Sequence, residues 1–241
     1  TFDRKMTAPS EYRSIMGEVK TPLPGVTIGG PFPQIAAMGD KFSFIRSFAH
    51  GSSSHGNGTT WVMTGYDDRT NMKPSLGSIV AKALGTTNLQ TGMPTYIKLG
   101  SIRSEGAGWL GARYSPFDSG GQARKNMTIS VPNDRFEYRR GLLNTMDKIR
   151  RDVDACGKRD GLDGFEKQAF DLVLGTSQDA VDVNKEDPKV RERYGRRGLG
   201  DNLLKARRLC EAGCGFVTVS YGGWDMHGGI EKGMKTRGPE V

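Results

Sequence analysis

At 241 residues the chain is long enough for one large domain or two small ones, and with 35% hydrophobic residues and a mean hydropathy of -0.54 it is somewhat poor in core formers. No run approaches the ~20 apolar residues that a membrane-spanning helix needs. The formal charge of +8, from 35 Lys and Arg against 27 Asp and Glu, suits an anionic partner. The basic pairs Arg139-Arg140, Arg150-Arg151 and Arg207-Arg208 are interleaved with acids, as on solvated helix faces. No zinc-finger, RNA-recognition or helix-turn-helix signature accompanies them, so no nucleic-acid partner is expected.

The first 25 residues read as an irregular surface segment, broken by Pro9, Pro22 and Pro24, with a helical turn over 11–16. A short strand is expected at 26–28 and a short helix at 31–38, stopped by Gly39-Asp40. Residues 42–48, FSFIRSF, have the aromatic and β-branched character of a strand. They run into a loop of small residues, Ala49-His50-Gly51-Ser52-Ser53-Ser54-His55-Gly56-Asn57-Gly58, and then a helix over 59–64 ended by Gly65. A strand, a Gly/Ser/His loop and a helix start can hold an anion on backbone N–H groups.

Ser75 is placed to N-cap a helix over 76–84, with Leu76, Ile79, Val80 and Ala83 as its apolar face and Gly85 at its end. A strand follows at 95–99, then a glycine-rich stretch over 100–125 in which the aromatic groups around Trp109, Tyr114 and Phe117 pack over neighbouring structure. Another strand is expected at 127–131. Helical periodicity covers 136–153 and 162–174, and Asp187-Pro188 opens a short charged helix to Tyr194. An amphipathic helix over 199–212 leads through Gly213 into an apolar strand at 216–219. Three cysteines, Cys156, Cys210 and Cys214, do not make a disulfide framework, and the last two read as small buried residues. Helix followed directly by strand, twice over, argues for an α/β chain with a mostly parallel sheet. Residues 136–198 read as a helical insertion or cap, and no further strand is expected after Gly229.

The stretch after the last strand is FVTVSYGGWDMHGG, residues 216–229. Asp225 and His227, two apart at a strand's C-terminal end, offer a carboxylate and an imidazole to one metal ion. Open α/β sheets collect ligands at that edge. The chain has three histidines, His50, His55 and His227, each followed by glycine. That placement favours a site, with solvated loop histidines as the plain alternative. Trp224 reads as a packing wall. His55 can act as ligand, general base or nucleophile, and His50 as a further ligand. Ser52, Ser53 and Ser54 are either nucleophiles or loop residues, and Asp3 is a weak ligand candidate.

Several segments together resemble the sulfatase-like bacterial family called domain of unknown function 1501. They are Ala8-Pro9-Ser10-Glu11-Tyr12-Arg13, the run DKFSFIRS over 40–47, and His50-Gly51 through His55-Gly56-Asn57-Gly58 to Thr64-Gly65. Further on come Asp187-Pro188 to Tyr194-Gly195 and Ala212-Gly213 to Gly223-Trp224-Asp225-Met226-His227-Gly228. The resemblance spans nearly the whole chain. It implies kinship with the alkaline phosphatase superfamily: a layered α/β/α fold with a two-metal site in a single domain over residues 1–241, exported from a bacterial cell.

It also implies that Asp225 and His227 form one metal's ligand pair and that Thr64-Gly65 closes the nucleophile helix. Ten residues before Gly65 stands His55, where that superfamily has Ser, Thr or Cys. The expected activity is metal-dependent hydrolysis of phosphate or sulfate esters, acting on an anionic small molecule or polysaccharide ester. The expected cofactor is a divalent metal: zinc, calcium or magnesium. The alternative is a non-catalytic metal- or anion-binding scaffold that kept the fold. The resemblance further implies that the family's chain starts earlier and continues later than this one, leaving the sheet incomplete here.

Overall fold

The computed structural model describes residues 5–45, 47–67, 70, 72–118, 132, 134–135, 138–139, 141–142, 177–195 and 198–241. In chain order they form strands β1 (Glu18–Lys20) and β2 (Thr27–Gly29), then helices α1 (Pro33–Ala37), α2 (His55–Thr64) and α3 (Leu76–Leu84). Strands β3 (Tyr96–Leu99) and β4 (Phe117–Asp118) follow, then helices α4 (Ser177–Val181), α5 (Pro188–Tyr194) and α6 (Leu199–Glu211). Strand β5 (Phe216–Val219) and helix α7 (Ile230–Arg237) complete the series. The strand expected over 127–131, the helix over 162–174, most of 136–153, Cys156 and Asp3 lie outside the described residues. The expected helix over 188–194 is α5, opened by Pro188 with the Asp187 carboxylate accepting the Lys189 N–H at 2.7 Å.

The chain divides into two compact units, residues 1–49 with 221–241 and residues 50–220. In the second unit β4, β3 and β5 form a three-stranded parallel sheet with β3 in the middle. Parallel strands need crossover connections, and α6 supplies one just before β5. Strand alternation sorts the side chains to two faces. Ile97, Leu99, Val217 and Val219 pack with Leu209 of α6 and with Ala180 and Val181 of α4. Tyr96 and Phe216 face the other way, onto Ala81 of α3, Ala107 and Tyr114. Tyr96 and Phe216 meet edge to face, with centroids 5.4 Å apart. The fold is thus mixed α/β around a parallel sheet, as the alternation of helix and strand leads one to expect.

Helix α3 differs from its sequence reading in which side it buries. Gly77, Ser78 and Ala81 are buried, whereas Leu76 and Ile79 are 56% and 47% exposed. The rings of Tyr96 and Phe216 set this orientation. A Cβ at Gly77 would fall 2.6 Å from Tyr96 Cε2 and 2.7 Å from Phe216 Cδ1, so only the small-residue side can approach. Ser75 sits at the N-cap, yet its hydroxyl lies 3.3 Å from Ser78 Oγ and accepts the Gly106 N–H instead of capping. Cys214 is buried as expected, but Cys210 is exposed on the outer side of α6.

In the first unit β1 and β2 pair antiparallel, Val19 opposite Ile28. Ile28, Phe32, Ala36 and Met234 form the core, with Met16, Val19, Ile35, Trp224 and Met226 packed against it. Among the described residues 42–45 and 47–48 no strand forms: Phe42, Phe44, Ile45 and Phe48 are all exposed, and no described strand pairs with them. The β-propensity of such residues expresses their fit to a half-buried pleated surface, and it forms no strand without a neighbour to hydrogen-bond.

Candidate functional site

The chain leaves β5 at Val219 and turns through Gly222-Gly223 into the Asp225/His227 stretch. Burial alternates from there: Trp224 and Met226 are half-buried against the first unit's core, and Asp225 and His227 are exposed. Trp224 packs beside Phe32 at 6.0 Å and Tyr221 at 5.6 Å between centroids, which is the wall that its composition predicts. Two anchored side chains therefore fix the two that can bind a ligand. His227 Nε2 lies 3.0 Å from the Asp225 carboxylate. A carboxylate oxygen and an imidazole nitrogen this close fit the donor chemistry of a divalent ion such as zinc.

The turn itself is held by a residue that no sequence pattern singles out. The Arg237 guanidinium donates to Gly222 O at 3.0 Å and lies over the Tyr221 ring at 5.6 Å. It occupies the space a Cβ at Gly223 would need, and Gly223 has φ +87°. Only glycine suits that position. An arginine 14 residues beyond its glycine and on another element carries no local signal of this role.

His50 and His55 belong to the second unit, whereas Asp225 and His227 belong to the first. Helix α2 begins earlier than expected, at His55 with Ser54 as N-cap, and ends at Gly65 in the left-handed conformation as read from the sequence. His55 is thus the first helical residue and is exposed. No side chain caps this end, so the first-turn N–H groups remain oriented toward the loop. Ser52 donates its backbone N–H to His50 Nδ1 at 3.3 Å. That leaves Nε2 as the atom through which His50 would act. The Ser52 hydroxyl accepts from Ser54 N at 3.2 Å, which ties the serines into a local turn. His50, Ser52, Ser53, Ser54, His55 and Thr59 are among the residues lining an open pocket of about 460 Å³.

Arg103 escaped the sequence reading altogether. Its guanidinium lies against Gly56 in the first turn of α2, a contact between residues 47 apart that no spacing rule shows. Glu105, two residues on, accepts the Tyr96 hydroxyl at 2.9 Å and the Thr218 hydroxyl from the sheet. Burial, with Glu105 close by, raises the Tyr96 hydroxyl above the ordinary tyrosine range.

No curated protein and no solved structure matches the chain. One family model does match, over residues 1–241, and by it the chain belongs to the family described as Protein of unknown function (DUF1501).

Proposed function

We propose that this chain is a metal-dependent hydrolase of phosphate or sulfate esters built on an alkaline-phosphatase-like core. The observation that carries the reading is the Asp225–His227 pair. Its two donors stand 3.0 Å apart on the exposed side of a stretch whose alternate residues are anchored. Asp225 and His227 would hold a divalent metal. When bound, such an ion polarises an ester's oxygens and neutralises developing charge.

The chain's own residues supply the rest. The first-turn N–H groups of α2 and the His50 and His55 imidazoles offer donors to an oxyanion. His55 stands where the resembled superfamily carries its nucleophile, and an imidazole there can accept a proton from an attacking water. The substrate class is an anionic small-molecule or polysaccharide ester, and the location that goes with the reading is extracytoplasmic. Among the described residues no helix is long and apolar enough to cross a membrane.

The test is a panel of aryl phosphates and aryl sulfates, assayed on the full-length protein with and without zinc, calcium or magnesium. Turnover that needs metal and disappears in Asp225→Ala is the expected result. Absence of both bound metal and turnover would sink the reading. His55 itself favours a second reading, a scaffold that kept the fold without the hydroxyl or thiol nucleophile. Stoichiometric metal with no turnover on any ester is the result that selects it.

A further inference from the structure

Residues 222–229, GGWDMHGG, hold four glycines in eight positions. Glycine gives up more conformational freedom on ordering than any other residue. A loop of that composition has to be fixed from outside if Asp225 and His227 are to keep their places. Part of the fixing is local. Met226 donates its N–H to Trp224 O at 3.0 Å, closing a three-residue turn with Asp225 at its centre. The rest comes from helix α7, which starts directly after the loop with Gly229, in the left-handed conformation, as its N-cap.

Gly233 and Arg237 stand four residues apart on α7 and so share a face. Each meets a different part of the loop. A Cβ at Gly233 would collide with Met226 Sδ and fall 3.2 Å from its Cε, so bare helix backbone is the seat of the Met226 thioether. The Arg237 guanidinium donates to Gly222 O at 3.0 Å and fills the space beside Gly223, with the Tyr221 ring 5.6 Å away. Met234, next to Gly233, is buried in the core against which Trp224 and Met226 pack. Glycine inside a helix is destabilising relative to alanine, so helix formation gives no reason for Gly233 in an eight-residue helix. The Met226 seat gives one.

We infer that Arg237 and Gly233 are positioning residues for the metal: α7 holds the Asp225 carboxylate and the His227 imidazole in place through the backbone at Gly222 and the side chain of Met226. The inference rests on the reading of Asp225 and His227 as a metal pair and says what sets that pair's affinity. An ion that enters an ordered loop does not have to meet the entropy of ordering it. In metal sites the groups that orient the ligands govern affinity alongside the ligands themselves. A guanidinium repels a cation, so the contribution of Arg237 comes through geometry and opposes its charge.

The experiment is calorimetric titration of the chelator-stripped full-length protein with zinc, calcium and magnesium in turn, comparing only the binding that Asp225→Ala removes. Arg237→Ala is expected to bind about tenfold more weakly than wild type, although it removes a like charge. Arg237→Lys keeps the charge and a donor for Gly222 O, and is expected to recover part of the loss. A residue that merely supported the fold would lower the melting temperature of the metal-free protein and leave the affinity of folded molecules unchanged. Gly233→Ala displaces Met226 while gaining helix propensity, and is expected to weaken binding in the same direction; it decides the matter if Arg237→Ala does not fold. Affinity in Arg237→Ala equal to or tighter than wild type overturns the inference and leaves the hydrolase reading standing. Arg237-dependent metal binding without turnover of any ester does the reverse. A wild type that binds none of the three ions overturns both.

Discussion

At the scale of single residues, environment separates cysteines that composition alone treats alike. Cys214 is 6% exposed, and burial pushes its thiol up to about 11 from an ordinary 9.0. Its Sγ lies 3.5 Å from Thr95 O and 3.4 Å from Phe216 O, so the protonated form has acceptors. A raised pKa favours the thiol in the folded chain. The associated stability is whole below the unfolded pKa and is lost as pH rises toward the folded one. Two pKa units correspond to about 3 kcal/mol, lost between roughly pH 9 and 11. Urea unfolding of wild type should weaken over that window, and Cys214→Ala should remove this share of the loss. Native Cys214 should also resist iodoacetamide at pH 8, when Cys210, exposed on α6, is alkylated. Equal labelling of the two, read by peptide mass spectrometry, would contradict the assignment.

At the scale of elements, α3 shows what a periodic pattern conveys and what it omits. The period gave the helix at Leu76–Leu84, bounded by Ser75 and Gly85. It assigned the wrong side to the core, because apolar content was weighed without knowing the shape of the opposing surface. Two aromatic rings on adjacent strands require a flat, close partner, and Gly77 with Ala81 is flatter than Leu76 with Ile79. Gly77→Ala should therefore destabilise by about 1–3 kcal/mol despite its helix-propensity gain, seen as a lower urea midpoint at unchanged slope. Ile79→Lys on the exposed side should stay within about 0.5 kcal/mol. The reverse ranking would mean that α3 packs the other way round.

The same distinction governs the candidate site. Asp225 and His227 were legible because they stand two apart in sequence, follow an apolar strand and sit among glycines. Gly56 and Gly58 were visible as glycines, but their partners Arg103 and His50 are not fixed by any local pattern. Residues 42–48 failed for a related reason, since side-chain type records preference for a sheet and says nothing of whether a neighbouring strand exists. Glu105 was invisible because its significance is a pair of hydroxyls from two different strands.

At the scale of the whole molecule, the chain has two compact units, one assembled from residues 1–49 and 221–241 and the other from 50–220. Each has its own core, the first around Phe32 and Met234 and the second around Ile97, Leu209 and Tyr96. Two cores make a single two-state transition an unsafe assumption, and that gives ligand binding a diagnostic. Trp224 and Met226 belong to the first core, so a metal bound by Asp225 and His227 is linked to the folding of that unit. An ion held only by the folded state stabilises it by about 2.7 kcal/mol at a hundred times its Kd. For a chain of this size that corresponds to a melting shift of about 5–10 °C. Differential scanning calorimetry of the full-length protein should show such a rise on adding the preferred metal among zinc, calcium and magnesium, reversed by chelator. If the units melt separately, the transition reported by Trp224 should move first. Asp225→Asn keeps the shape and removes the charge, so its melting should match chelated wild type and should not respond to metal. A wild-type melting curve indifferent to all three ions would show that Asp225 and His227 hold each other and no metal.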